Sequence, residues 1–398
     1  MDSPMPPILT VLWPFQSTAK RVRFDRHELA GAFGDLGTDL PLLVGLVLTC
    51  HLDPVSVFTI FGLLQIATGL LYGMPMPVQP LKAMAAIMLA SKLSQGALAA
   101  GGLILGLAML ALTASGLLDR IASAVPKVVV RGIQLGLGLS LATLALKDYA
   151  ARDGLAGYLL AAFALALLLL FRRQRRVPAP LIVLGLGALY GLLMHPSAGN
   201  WAANIGFHAP SVRLPSGNDW LQGALLLALP QLPLSLGNSV IATSQTAADL
   251  FPDRPITVRK IGLTYAIMNL VGPLFGGVPV CHGCGGMVGF YGFGARTGGA
   301  AILYGTFYVL LGVVFAPGFE SVVRLFPMPV LGVVLLFEAV ALMSLVRDVT
   351  SDATKAWIAL AIAVAVLALP YGYVVGLVGG TLLAWAAQRG WMRVPSGN

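Results

Sequence analysis

Two short blocks of this chain combine residue types that suit binding of a small anion. The first reads Pro75-Met76-Pro77-Val78-Gln79-Pro80-Leu81-Lys82. Its prolines fix an extended entry, and Pro80 suits the first turn of a helix. The amides after Pro80 then lie at a helix N-terminus, which carries about half a positive charge. Gln79 adds an amide that can donate. Lys82 adds a full charge inside an apolar stretch, where an ion is costly. A substrate contact and a structural salt bridge, to Asp35 or Glu338, both account for such a lysine.

The second block reads Pro279-Val280-Cys281-His282-Gly283-Cys284-Gly285-Gly286. Consecutive glycines let backbone amides approach an anion closely, as in a nest. Cys281, His282 and Cys284 are metal-ligand types, but their spacing is tight and no fourth ligand is evident for a structural zinc. Neither a metal nor a cofactor is expected. His282 reads as a proton-linked switch near neutral pH or as a helix-packing donor. Two facing positive helix ends describe an anion site.

Few carboxylates fall in apolar stretches: Glu28, Asp35, Asp39 and Glu338. Asp35 and Asp39 lie four apart on one helix face. They suit proton carriage, pairing with Lys82, or holding a broken helix in place. Gln231, Asn238, Ser239, Thr243, Ser244 and Gln245 form a polar stripe. Many such residues only bond across helices. Facing the two blocks, Gln231, Asn238 and Ser239 would give a tetrahedral oxyanion amide and hydroxyl donors. No nucleophile–base constellation is visible, so an enzyme is not expected. No G-x-x-x-x-G-K-[ST] loop is present, which speaks against an ATP-driven pump.

The elements that must position these blocks follow from composition. The 398 residues are 57% hydrophobic and only 10% charged, with a mean hydropathy of +0.85. A soluble domain carries about 25% charged residues, so a soluble enzyme is excluded, and so is disorder. The apolar runs are unbroken rather than alternating, which excludes a bacterial-type barrel. The expectation is an all-α polytopic membrane protein. The net charge of +9 reads as positive-inside charge rather than as nucleic-acid binding. Cys50, Cys281 and Cys284 make no disulfide framework. The first 27 residues lack a long apolar region and end in Lys20, Arg21, Arg23 and Arg26, unlike a cleavable signal.

Apolar runs predict spans at 29–50, 55–73, 78–92, 96–118, 127–146, 154–171 and 180–195, then at 221–248, 256–276, 281–294, 298–317, 323–345, 354–370 and 372–388. Segments 78–92 and 281–294 are too short to cross alone and read as half-helices. With all 14 counted as passes and both termini cytoplasmic, the inner side holds 19 of the 25 Lys and Arg. Leaving out the half-helices would move the cluster Arg172, Arg173, Arg175 and Arg176 outside, against the positive-inside rule.

The chain also echoes itself. Gly73-Met74-Pro75-Met76-Pro77 and Gly277-Val278-Pro279-Val280-Cys281 are 204 residues apart, and that offset takes Gly34 to Asn238. A repeat of seven passes places its two copies in opposite orientations, the plan of secondary transporters. The expected organisation is a cytoplasmic segment 1–27, a first repeat 28–198, an extracytoplasmic connector 199–220, a second repeat 221–388 and a cytoplasmic tail 389–398. The two half-helices would meet at the midplane.

Four blocks together resemble a known family. They are Glu28-Leu29-Ala30-Gly31-Ala32-Phe33-Gly34-Asp35-Leu36-Gly37-Thr38, the Pro75–Lys82 block, Leu229-Pro230-Gln231-Leu232-Pro233 with Asn238-Ser239-Val240-Ile241-Ala242, and Cys281–Gly286 followed by Phe293-Gly294-Ala295-Arg296. The combination is similar to the plant and bacterial molybdate transporters of the sulfate-permease superfamily. The resemblance implies import of molybdate, a core domain moving against a gate domain, and substrate held between the half-helix N-termini. By position, Gln79, Pro80 and the amides from His282 through Gly283, Cys284, Gly285 and Gly286 would lie at that site. The chain departs from the family pattern at Cys284, where Ala is expected, and at Asp39, where an aromatic residue is expected. The expected partners are molybdate, protons as coupling ion, and the lipid bilayer of a bacterial inner membrane. Nucleic acid is not expected, and a homodimer is left open.

Overall fold

The computed structural model describes residues 22–171, 179–194, 208–212, 214–314, 327–369 and 371–391. The Arg172–Arg176 cluster, most of segments 1–27, 199–207 and 389–398, and the Glu338 side chain lie outside the described residues.

In chain order, the helices of the first half are α1 (Arg26–Ala32), α2 (Leu36–Cys50), α3 (Pro54–Tyr72), α4 (Lys82–Ser91), α5 (Gln95–Ala114) and α6 (Leu117–Ala124). They continue with α7 (Lys127–Ala150), α8 (Gly154–Phe171) and α9 (Ala179–Met194). The second half holds α10 (Asp219–Leu250), α11 (Val258–Val271), α12 (Cys284–Gly292), α13 (Gly299–Val314), α14 (Met328–Asp348), α15 (Ala353–Ala368) and α16 (Gly372–Gln388). Among the described residues, each expected apolar segment falls on a helix, the first of them on both α1 and α2. By length and composition, six are able to cross a membrane, or seven if α1 and α2 form one bent span. The remaining apolar helices run 10–17 residues.

Three local features differ from expectation. The first span is broken: α1 and α2 meet at a 45° bend around Phe33–Asp35. Gly34 lies at the bend and packs against the backbone of α12, where an added Cβ would sit 2.5 Å from the Gly289 carbonyl. Helix α6 forms a separate short element where the sequence suggested only the end of a span. The half-helix α4 begins at Lys82 rather than 78, because Pro75 to Pro80 stay extended.

Both breaks arise from the same local chemistry. Helix α3 ends at Gly73 in the left-handed conformation (φ 61°), a glycine C-cap. Helix α11 runs into a tight turn that ends at Gly276 (φ 74°). The extended residues that follow pair as two antiparallel strands, β1 (Gln79–Pro80) and β2 (Val280–Cys281), with Gln79 opposite Cys281 and Pro80 opposite Val280. Pairing the two breaks with each other satisfies backbone groups that lipid could not satisfy.

Packing sorts the helices into two groups. Helices α3 and α13 pack tightly through Gly62, Gly69, Gly298 and Gly305; a Cβ on Gly69 would lie 2.7 Å from the Gly298 carbonyl. Small residues at an interface let backbones approach, the usual driver where lipid removes the hydrophobic effect. Helix α5 packs against α11 and α10, completing one group with both breaks. The other group is α7, α8, α14, α15 and α16, with α9 against α8 and α14. Helix α8 is largely uncovered, as a lipid-facing helix would be.

Candidate functional site

A small cavity of about 10 Å³ lies where the breaks meet α10, α7 and α14. Its lining includes Gln79, Lys82, Gln231, Asn238, Ser239 and Cys281, with Leu137 and Leu342 from the second helix group. It has room for no more than about one water. The polar wall belongs to the group that carries the breaks, and the apolar residues from α7 and α14 close it.

Helix α10 reaches this position through local irregularity. Pro230 and Pro233 lie in its middle, and each removes a backbone N–H. A widened π-type turn follows at Ser235–Ala242, a distortion that often turns side chains toward functional sites. It brings Asn238 and Ser239 to the cavity. Cys281 lines the cavity beside them.

The first break is tied from several sides. Gln79 Nε2 donates to both oxygens of Asp35, at 2.7 and 2.8 Å. Its Oε1 is buried with no partner among the described residues. The Gln79 amide therefore spends its donor on a carboxylate and leaves an acceptor over. Gln231 Oε1 accepts from the amides of Ala83 (3.0 Å) and Met84 (3.2 Å), in the first turn of α4. Gln231 thus caps a helix on a different part of the chain. Gln65 Oε1 accepts from Val78 N at 2.6 Å, holding the extended strand.

The second break has a matching clamp. Asn269 Oδ1 accepts from Val280 N at 2.9 Å, and its Nδ2 donates to the Val280 carbonyl at 2.6 Å and to the Tyr265 carbonyl at 2.9 Å. Gln65 and Asn269 are separated by the same 204 residues as the Gly/Pro blocks. His282 is fully buried. Its Nδ1 lies 3.0 Å from the Pro77 carbonyl and its Nε2 2.8 Å from Thr264 Oγ1. A carbonyl only accepts, so Nδ1 carries a proton. The ring stands edge-on to Tyr72, whose hydroxyl meets the same threonine at 2.7 Å. The ring therefore locks the two breaks to α11 and does not line the cavity.

Helix α12 begins after Gly283, which has no side chain to cap it. A Cβ on Gly283 would collide with Gln79 Oε1, and one on Gly286 with Asp35 Oδ2. A Cβ on Gly285 would meet nothing within 4 Å. The Cys284 thiol donates to Asn238 Oδ1 at 3.3 Å. Pro80 contributes through its strand pairing and not through the cavity wall.

The other sequence candidates have structural partners. Tyr304 donates to Asp39 at 3.1 Å and contacts Tyr308, so Asp39 faces α13. Thr243 donates to the Asn238 carbonyl, Ser244 to the Ile256 carbonyl and Gln245 to Asp249. Glu28 accepts from the amides of Arg296, Thr297 and Ala300, a carboxylate at the start of α13. One residue was missed. Arg131 of α7 bonds Gln134, which bonds Asn238. Its spacing from Lys127 and Gln134 on one helix face was a readable signal.

The architecture is that of solved membrane anion carriers. It superposes on the transmembrane domain of a cyanobacterium bicarbonate transporter, BicA, with a TM-score of 0.67 and 17% identity over 90% of this chain and 99% of that one. It also superposes on the murine Slc26a9 anion transporter in its inward-facing state, with a TM-score of 0.74 and 13% identity over 99% and 73%. The chain is thus a helical membrane protein with this transporter fold.

At the level of sequence, residues 27–141 and 223–342 match the family described as molybdate transporter of MFS superfamily. Molybdate transporter 2 of Arabidopsis thaliana is 34% identical over 81% of this chain and 79% of its own length. Molybdate transporter 1 of Chlamydomonas reinhardtii is 31% identical over 96% and 98%. The chain belongs to the molybdate transporter family. That description carries a different superfamily label from the sulfate-permease group implied by the resemblance.

Proposed function

We propose that this chain is a secondary transporter that imports molybdate by alternating access. The observation that carries this reading is the cavity: Gln79 and Cys281 of the two paired breaks, Lys82 and the Asn238 and Ser239 side chains converge at the seam between two helix groups. Tetrahedral MoO4 exchanges its hydration for such donors. The names of the relatives, molybdate transporters, support molybdate among anions of that shape.

In this reading the helices carrying the breaks form the core and the α7–α9 and α14–α16 group forms the gate. The cavity is closed to a four-oxygen anion, and Leu137 and Leu342 are the lids that separate when the groups slide. An anion channel on the same fold is the alternative, and charge movement far exceeding one substrate per conformational cycle would favour it. The clamps Gln65 and Asn269, at the spacing of the Gly/Pro blocks, support two seven-pass repeats of opposite orientation, 28–198 and 221–388. Both termini then face the cytoplasm of a bacterial inner membrane, with 199–220 outside.

Gln79, Lys82, Gln231, Asn238, Ser239 and the backbone from His282 to Gly286 make or hold the site. Gln79 and Gln231 act by positioning: one fixes Asp35, the other caps α4. Import against an inside-negative potential costs about 2.3 kcal/mol per charge per 100 mV. A dianion therefore needs a coupled cation, a large gradient or exchange; in this reading the coupling ion is the proton, with Asp35 and Asp39 either carrying it or serving as the structural partners of Gln79 and Tyr304.

The test is the molybdenum content, by elemental mass spectrometry, of cells expressing the chain, at submicromolar molybdate with and without excess sulfate. The expected result is molybdenum above the empty-vector control that survives the sulfate. Accumulation abolished by sulfate would make the chain a general oxyanion transporter. No accumulation with folded protein at the membrane would overturn the import reading.

A further inference from the structure

The cavity wall contributed by the gate group is apolar, yet a cation stands just beyond it. Arg131, Gln134 and Leu137 lie at helical spacing along α7, so Arg131 sits about 9 Å along the helix from the cavity-lining leucine. Its Nη1 donates to Gln134 Oε1 at 2.9 Å. Its Nη2 pairs with Asp348 at the end of α14, which Lys127 also contacts at 3.2 Å. Gln134 Nε2 donates to Asn238 Oδ1 at 3.2 Å, and Asn238 Oδ1 also takes the Cys284 thiol at 3.3 Å. A continuous polar chain thus runs from the exposed end of the gate, through α10, to the first residue of α12.

Two properties of Arg131 go beyond a strut. Its Nε is buried and has no partner among the described residues, so one donor of the guanidinium fork is unused. Its partner Asp348 is 40% exposed, and an ion pair that accessible is weak and exchangeable. A guanidinium with a spare donor and a replaceable carboxylate suits bidentate capture of a tetrahedral oxyanion.

We propose that Arg131 is a second oxyanion station, on the path between the central cavity and the face carrying Lys127 and Asp348. The anion leaving the cavity takes the place of Asp348 on the guanidinium. Gln134 then loses its hold on Arg131, and the link through Asn238 to Cys284 slackens as the anion departs. Asp348 re-pairs with Arg131 once the anion has gone, so the carboxylate competes with the anion for the guanidinium. This inference rests on the oxyanion-transport reading above and adds a gate-side residue that the two breaks do not supply.

The experiment uses the full chain in proteoliposomes and follows equilibrium exchange of molybdate together with equilibrium molybdate binding. Arg131→Gln should lower exchange about tenfold or more, the scale of losing a charge-assisted hydrogen bond. Binding at the central cavity should stay within about threefold, a change too small for loss of such a bond; this retained binding also reports that the variant is folded. Arg131→Lys keeps the charge without the fork and should fall between wild type and Arg131→Gln. Asp348→Asn removes the competing carboxylate and should raise exchange above wild type, opposite in direction to Arg131→Gln.

A purely structural latch makes the opposite forecast: Arg131→Gln and Asp348→Asn both break it and should shift exchange in the same direction. That result, with an active wild type, overturns the station. Loss of binding in Arg131→Lys and Arg131→Gln alike also overturns it, since Arg131 would then act on the cavity or the fold. A wild type that neither binds nor exchanges molybdate overturns the transport reading itself.

Discussion

The two breaks share one strand pairing and one cavity, but they terminate their half-helices in opposite ways. At the first, Gln231 reaches across from α10 and occupies the amides of Ala83 and Met84. At the second, α12 starts on Gly283 with no side-chain cap, surrounded by glycines. The first half-helix therefore presents its charge mainly through Lys82, and the second through backbone. The clamps differ as well: Asn269 holds both the N–H and the carbonyl of Val280, whereas Gln65 holds only the Val78 N–H. Similar extended backbone at the two breaks is thus held by different side chains, which makes their surroundings asymmetric.

This comparison can be broken most severely at Gly283. The Gly283→Ala methyl meets a Gln79 side chain that Asp35 fixes, so neither can yield cheaply. Molybdenum uptake should fall to background, and wild-type uptake in that variant would show that the breaks do not need their close contact. Gln231→Ala comes next. It strips two buried amides of their acceptor, at about 1–3 kcal/mol each, and should lower the melting temperature of the detergent-solubilised protein and reduce uptake. An unchanged melting temperature would remove Gln231 as the cap of α4.

The clamps sharpen the asymmetry. Asn269→Ala orphans two buried backbone groups and Gln65→Ala one, each worth about 1–3 kcal/mol. Asn269→Ala should show the larger drop in melting temperature, and the reverse order would mean that the first break is the more strained. Gly285→Ala is the mildest change. Its methyl enters open space and exchanges glycine for the best helix former, a gain of up to about 1 kcal/mol. Stability should hold or rise slightly while the KM for molybdate increases. An unchanged KM would place the anion away from the glycine amides.

Much of this was legible in the sequence. Prolines and glycines act on their own backbone, so the positions of both breaks could be read directly. Apolar runs located the helices because hydropathy is local. The break at Gly34 was less legible, since the backbone it packs against, at Gly289, is more than 250 residues away. Gln79 was expected to donate to the anion, but its donor goes to Asp35. His282 was open between a switch and packing, and its ring is spent on Pro77 and Thr264. Arg131 stands at helical spacing from Lys127 and Gln134, which the sequence shows, but nothing in its neighbourhood tells of Asn238 or Cys284.

The sequence alone determined that this chain resides in a membrane, where its helices run and where two of them break. Those properties follow from transfer free energy and from the φ restriction of proline, both of which act within a few residues. Only the tertiary structure decided which polar groups remain for an anion. Each buried donor or acceptor is spent on whichever group the packing brings within about 3 Å, and here those groups come from elements far apart in the chain.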